Sequence, residues 1–194
     1  MPKLYFKYGT MGSSKTAQCL MTKFNYEEQG YKVALFNPSI NNRDGKNIIK
    51  SRIGLESKAI PISNGFNFLN WYKSNKQYNV IIIDESQFLN RIQIEQLKEI
   101  AIYSIPVLCF GLKTDFLSHM FEGSLRLFEI ADSITEIKSV CKCGRKSEIN
   151  ARIINGKVMV NGEQIQIGGN ESYQPMCYKC WKEKLKEKEG DINI

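Results

Sequence analysis

The sequence predicts an α/β protein: a parallel sheet flanked by helices, followed by a smaller cysteine-bearing unit. Three observations carry that prediction. Short β-rich runs at residues 4–8, 32–36, 80–84, 106–111 and 133–137 alternate with helical patterns, as strands joined by helical crossovers do. The run Val80-Ile81-Ile82-Ile83 is β-branched throughout, the composition of a strand buried on both faces. Around residue 138 the texture changes to cysteine pairs, glycine-rich turns and short strand-like stretches such as Lys157-Val158-Met159-Val160. The chain is therefore divided into residues 1–137 and residues 138–194.

In chain order, the strand at 4–8 runs into Tyr8-Gly9-Thr10-Met11-Gly12-Ser13-Ser14-Lys15-Thr16. This is the Walker A pattern G-x-x-x-x-G-K-[ST] with Ser14 in place of the last glycine. A Cβ at that position crowds a close backbone approach, although a serine hydroxyl can itself donate to a phosphate. Behind the loop, Ala17, Leu20, Met21 and Phe24 recur at helical spacing, and Gly30 stops the helix. A strand before and a helix after give the loop the context of a phosphate cradle, because a helix N-terminus points free N–H groups at an anion. Gly9 permits the tight turn, Lys15 reaches the β- and γ-phosphates, and Thr16 offers its hydroxyl to Mg²⁺.

The strand at 80–84 ends in Asp84-Glu85, the Walker B form, 69 positions beyond Lys15. A strand adjacent to the first would bring these acids to the same Mg²⁺, Asp84 holding the ion's water shell and Glu85 accepting a proton. The competing reading is an ordinary strand end whose carboxylates cap a helix beginning near Asn90. Cys19 and Cys109 fall in helix and strand patterns and read as core residues. In the second unit, Cys141-Lys142-Cys143 and Cys177-Tyr178-Lys179-Cys180 are separated by 33 residues. Two close pairs of thiolates suit a closed, structural Zn²⁺ site. Residues 181–194 are charge-balanced and highly charged, and are expected to fray.

Bulk properties set limits. At 194 residues and 42% hydrophobic content, the chain can bury one full core and a small appendage. No apolar leader follows the start, and no run approaches the roughly 18 apolar residues of a membrane span, so a cytoplasmic protein with no membrane partner is expected. Net charge is +7, and residues 1–80 carry 12 Lys/Arg against 4 Asp/Glu while the remainder carries 15 against 16. The excess lies with the phosphate loop, which suits a polyphosphate as well as it suits nucleic acid. Six cysteines without a secretion signal are poorly explained by disulfides. The one histidine, His119, excludes two-histidine zinc sites and is expected on a helix surface.

Taken together, these stretches resemble the type II thymidine kinases, the family of the cytosolic animal enzyme and most bacterial ones. The resemblance covers nearly the whole chain through LYFKYGTMGSSKT, NPSINNRDG, SRIGL, IIIDESQF, VLCFGLKTDF, FEGS and IQIGGNESYQPMC. It implies a RecA-like P-loop domain that binds ATP with Mg²⁺, and a small zinc-containing domain whose lasso loop closes over thymidine. The activity implied is transfer of the γ-phosphate of ATP to the 5′-hydroxyl of thymidine, with deoxyuridine also accepted, in nucleotide salvage for DNA synthesis. By the same resemblance Gly9, Thr10, Met11, Gly12, Ser13, Ser14, Lys15, Thr16, Arg43, Asp84 and Gln87 belong to the ATP site, and Glu85 is the catalytic base. Met11, Phe88, Leu112, Phe116 and Tyr173 enclose the thymine, and the backbone of Gln166, Ile167 and Gly168 hydrogen-bonds it. A homotetramer inhibited by thymidine triphosphate is also implied.

Two positions depart from the family pattern. Asn41 stands where the D-x-R motif has its acid, removing an ion pair or metal-side contact but leaving Arg43, and Ser14 is a tolerated substitution in the loop. The alternative is a helicase-like nucleic-acid-dependent ATPase, since helicases also carry D-E-x-Q after a Walker strand. Two such lobes need far more than this length. A zinc module binding nucleic acid would leave the loop and Asp84-Glu85 without a role, so no nucleic-acid partner is expected.

Overall fold

The computed structural model describes residues 3–40, 47–164 and 172–190. Its first part runs β1 (Leu4–Tyr8), α1 (Lys15–Glu28), β2 (Val33–Pro38), β3 (Ile48–Lys50), β4 (Glu56–Lys58), β5 (Ile60–Ile62) and α2 (Phe68–Lys73). Then come β6 (Val80–Ile83), a 3₁₀ turn at Ser86–Phe88, α3 (Arg91–Tyr103), β7 (Val107–Gly111), α4 (Glu122–Ile130) and β8 (Ser133–Glu136). The second part holds β9 (Ile149–Ile154), β10 (Lys157–Val158), β11 (Tyr173–Met176) and α5 (Tyr178–Gly190).

Six strands form one parallel sheet in the order β5-β2-β6-β7-β1-β8. The central strands bury both faces, which is why they read as unbroken apolar runs. Ile81, Ile83, Val107, Cys109, Leu4 and Phe6 point to one side, where Phe68, Leu97, Ile100 and Leu127 of α2, α3 and α4 cover them. Val80, Ile82, Leu108 and Phe110 point to the other, against Cys19 and Leu20 of α1 and Ile49 of the β3–β4 hairpin. Each fully buried isoleucine contributes about 1.5–3 kcal/mol.

Helix ends follow local chemistry. Asn90 caps α3 with a capping box: its side chain accepts from Gln93 N at 2.9 Å, and Gln93 Oε1 accepts from Asn90 N at 3.2 Å. At the end of α1, Gly30 N donates to Glu27 O at 2.9 Å and Tyr31 N to Tyr26 O at 3.1 Å. That pattern is a Schellman motif, and it needs the positive φ of 82° that Gly30 supplies.

Several expectations are corrected. Of the stripe predicted for α1, Ala17 and Leu20 are buried, but Met21 and Phe24 are 47% and 58% exposed. The inward face instead follows Lys15, Cys19, Thr22 and Tyr26, because burying Lys15 at the loop sets the phase of the helix. His119 is exposed in the irregular connection before α4 and not on a helix. The strand β5, helix α2 and the β3–β4 hairpin are too short to show a period. The C-terminal stretch expected to fray is helical to Gly190, supported by good helix formers and by Lys179 and Glu183 at 3.5 Å.

The small sheet is antiparallel in the order β10-β9-β11. Ile149, Ala151, Met176, Cys141 and Cys177 make its core, with Ile153, Cys180 and Trp181 packed against it. Among the described residues no helix is long and apolar enough to cross a membrane.

Candidate active site

The phosphate loop leaves β1 pressed against the end of β7: Gly9 N donates to Gly111 O at 3.2 Å. Glycine is required here, since a Cβ would lie 2.4 Å from Ile137 O and 2.4 Å from Ser13 Oγ. Thr10 O accepts from Ser13 N at 3.2 Å and from Lys15 Nζ at 2.8 Å, so the loop curls around the buried ammonium. Ser14 caps α1 with φ 64° and ψ 21°, and its side chain makes no capping bond. The left-handed conformation that the Walker glycine supplies is therefore kept with a serine in place, at a cost of about 1–2 kcal/mol.

The acids arrive by a different route from the one expected. Strand β6 is not adjacent to β1, because β7 lies between them. The gap is closed from α1, where the Thr16 side chain hydrogen-bonds Asp84. Asp84 is 2% exposed. Burial foremost, and then the charge of Glu85, push its carboxyl up to about 7, against the pull of the Thr16 hydroxyl, the Glu85 backbone and Lys15. A carboxylate so short of compensating charge beside a threonine hydroxyl is a donor pair that fits a hard divalent cation such as Mg²⁺.

Glu85 also has a left-handed backbone, at φ 50° and ψ 38°. Such strain in a non-glycine residue concentrates at working sites. Gln87, 2% exposed, fixes its neighbour: Nε2 donates to Glu85 Oε2 at 2.6 Å, while Oε1 accepts from Leu112 N at 3.0 Å. Because the Leu112 N–H can only donate, the orientation of the amide is determined. Leu112 O in turn accepts from Ser124 Oγ at 2.6 Å.

The small sheet joins this site through one strand. In β9, alternate residues face opposite ways: Ile149 and Ala151 enter the small core, while Asn150 and Arg152 meet the main sheet's loops. Met11 N donates to Asn150 Oδ1 at 2.7 Å, Asn150 Nδ2 donates to Thr114 O at 3.0 Å, and Thr10 Oγ1 lies 2.7 Å from Ser147 Oγ. Arg152 stands 3.8 Å from the centre of the Phe116 ring and donates to the Tyr173 hydroxyl. Phe88 packs edge-on against Phe121. Lys15, Thr16, Asp84, Glu85, Gln87 and Leu112 thus form one connected group, with Phe116 and Tyr173 in another. Arg43, Gln166, Ile167 and Gly168 lie outside the described residues. Sequence reasoning missed Ser147, Asn150 and Arg152; for Asn150 and Arg152 the period-two alternation of Ile149–Ile154 was the available signal, and for Ser147 there was none.

The sulfur atoms of Cys141, Cys143, Cys177 and Cys180 all lie within 4.8 Å of one another, with Cys143 and Cys177 at 3.6 Å. For Cys141 burial opposes ionisation, but the N–H groups of Cys143 and Cys177 and the neighbouring thiols outweigh it and bring it down to about 7. Hydrogen bonding to Cys143 and Cys177 pushes Cys180 up to about 12. Four thiolates cannot share so small a space without a cation, and a four-sulfur donor set fits Zn²⁺. Cys19 and Cys109 are instead fully buried, and burial raises both thiols.

A parallel sheet whose first strand runs into a lysine-bearing phosphate loop is the frame of a nucleotide-dependent P-loop enzyme. The thymidine kinase family profile matches residues 2–181. A Lactobacillus acidophilus protein named thymidine kinase is 44% identical over 188 residues, 91% of this chain and 94% of that one. Those of Streptococcus pyogenes and Rhodopirellula baltica are 45% and 40% identical, covering 92% and 98% of this chain and 96% and 93% of their own. The chain belongs to the thymidine kinase family. Among solved structures, the Pif1 helicase of Candida albicans aligns over 71% of this chain and 36% of its own, at 16% identity and a TM-score of 0.41, too slight a likeness to bear on function.

Two outcomes are expected. Ser14→Gly relieves the left-handed strain but loosens the unfolded chain, and the net gain of about 1 kcal/mol raises the thermal midpoint by about 2–4 °C; an unchanged or lower midpoint counts against that strain. Asp84→Asn stabilises the metal-free protein at pH 8, because the ionised carboxylate opposes folding above its folded value of about 7. The gain, on the order of 4 kcal/mol, shrinks as pH falls through 7 and vanishes near the unfolded value of 3.8. Denaturant titrations of both proteins from pH 4 to 8 measure it.

Proposed function

We propose that this chain transfers the γ-phosphate of ATP to the 5′-hydroxyl of thymidine. The observation that carries the reading is the Thr16–Asp84 pair under a lysine-bearing loop, in a chain of the thymidine kinase family. Gly9, Thr10, Met11, Gly12, Ser13 and Ser14 cradle the phosphates with backbone N–H groups, and Lys15 holds the β- and γ-phosphates, with Arg43 nearby. Thr16 and Asp84 hold Mg²⁺, which when bound supplies positive charge to the phosphate oxygens. Glu85 takes the proton of the 5′-hydroxyl as that oxygen bonds to the γ-phosphorus and ADP departs. Gln87, beside the nucleotide, holds one Glu85 oxygen and so orients the carboxylate toward its task. Little covalent help is needed, since phosphoryl transfer depends on alignment and charge.

Met11, Phe88, Leu112, Phe116 and Tyr173 enclose the thymine, and the backbone of Gln166, Ile167 and Gly168 pairs with its edge. Deoxyuridine is a second substrate. Zn²⁺ held by Cys141, Cys143, Cys177 and Cys180 is structural, within a lasso unit spanning residues 138–194. Feedback by thymidine triphosphate, a cytoplasmic location and a homotetramer complete the reading. The exposed Met21 and Phe24 of α1 offer apolar surface to a second copy.

A nucleoside panel with labelled ATP tests this. Thymidine ranks first and deoxyuridine next, with a wide gap to deoxycytidine and purines, since each mispaired buried group costs roughly 1–3 kcal/mol. ATP hydrolysis stimulated by nucleic acid, without transfer to a nucleoside, would instead support the helicase-like alternative. Glu85→Gln lowers turnover on the order of 10²–10⁴-fold with nucleotide affinity retained; normal turnover removes Glu85 from the base's role. Purified protein carries about one Zn²⁺ per chain, and Cys143→Ser loses the metal and stability together. Active protein free of zinc sinks the structural-metal reading.

A further inference from the structure

Arg152 is a charged side chain 2% exposed in the middle of β9. Such burial is costly unless every face of the cation is matched. Among the described residues, its partners come from three separate segments. Nε and Nη2 donate to the Tyr173 hydroxyl at 2.9 and 2.6 Å, and Nη2 also donates to Glu163 O at 3.0 Å. The guanidinium carbon sits 3.8 Å from the centre of the Phe116 ring. Tyr173 is the direct cross-strand partner of Arg152 in the β9–β11 register, so backbone pairing already holds the two side by side.

We propose that Arg152 is a positioning residue for the pyrimidine pocket, its guanidinium setting the Phe116 ring and the Tyr173 phenol in a fixed relation. This rests on the reading that Phe116 and Tyr173 enclose the base. The chemistry requires arginine. A planar fork gives two N–H groups to one phenol oxygen while its face lies on an aromatic ring, and a lysine ammonium cannot do both. Walls set before the nucleoside arrives spare binding the cost of ordering them. Loss of Arg152 therefore acts on thymidine affinity, whereas ATP is held by the loop before α1.

The test is steady-state kinetics on the full-length protein for Arg152→Lys, Tyr173→Phe, the double variant and Phe116→Leu, with zinc content and thermal midpoint recorded for each. Arg152→Lys raises the thymidine KM about tenfold, with kcat and the ATP KM within about twofold. Tyr173→Phe gives a smaller rise in the same constant. The double variant is no worse than Arg152→Lys, because both changes remove one link. Parallel losses in both KM values, or additive effects in the double variant, overturn the proposal and leave Arg152 a structural tie. If Phe116→Leu and Tyr173→Phe leave the thymidine KM unmoved, the enclosure reading fails and takes this inference with it. If they raise it and Arg152→Lys does not, only the inference fails. Should Arg152→Lys not fold, Tyr173→Phe decides alone, and an unchanged thymidine KM overturns the proposal.

Discussion

Asp84 directly follows the central strand β6 with almost no access to water, and the surrounding site depends on how that charge is matched. The Thr16 hydroxyl and the Lys15 ammonium offset the cost from the start of α1, and Glu85 beside it adds to the cost. A parallel sheet makes the meeting possible, because its strands all end at the same edge. Strand β7 acts as the spacer. Its last residue, Gly111, accepts the Gly9 N–H, and the next, Leu112, holds the Gln87 amide that grips Glu85. The loop, the buried acid and its half-buried neighbour are registered through backbone atoms of one intervening strand.

A second dependence runs through β9. Its apolar face shares a small core with Cys141 and Cys177, and its polar face reaches the phosphate loop through Asn150 and the Phe116 loop through Arg152. A cation on the four sulfurs would order this strand, and through it both loops, without touching substrate. The same alternation that builds the small core thus links the four-cysteine cluster to the site.

Two non-glycine residues hold left-handed backbones at the heart of the site, Ser14 at the helix start and Glu85 at the strand end. The strain at Ser14 accompanies the helix N-terminus aimed into the loop. At Glu85 it turns the side chain away from the line of β6, so that consecutive acids take different surroundings, one buried with Thr16 and Lys15 and one held by Gln87.

What was legible in the sequence was local. Unbroken apolar runs marked the central strands, the loop's spacing placed Lys15 and Thr16 between strand and helix, Asn90 announced α3, and the paired cysteines announced a cluster. Each signal is carried by neighbours in the chain or by a short period. Tertiary structure alone decided that β7 separates the two Walker strands, that Lys15 turns Cys19 and Tyr26 inward and leaves Met21 and Phe24 outside, and that Asn150 and Arg152 face the loops. In sequence Arg152 is one more cation on a strand, because a guanidinium's role is set by a ring and a phenol that approach it only after two sheets have packed.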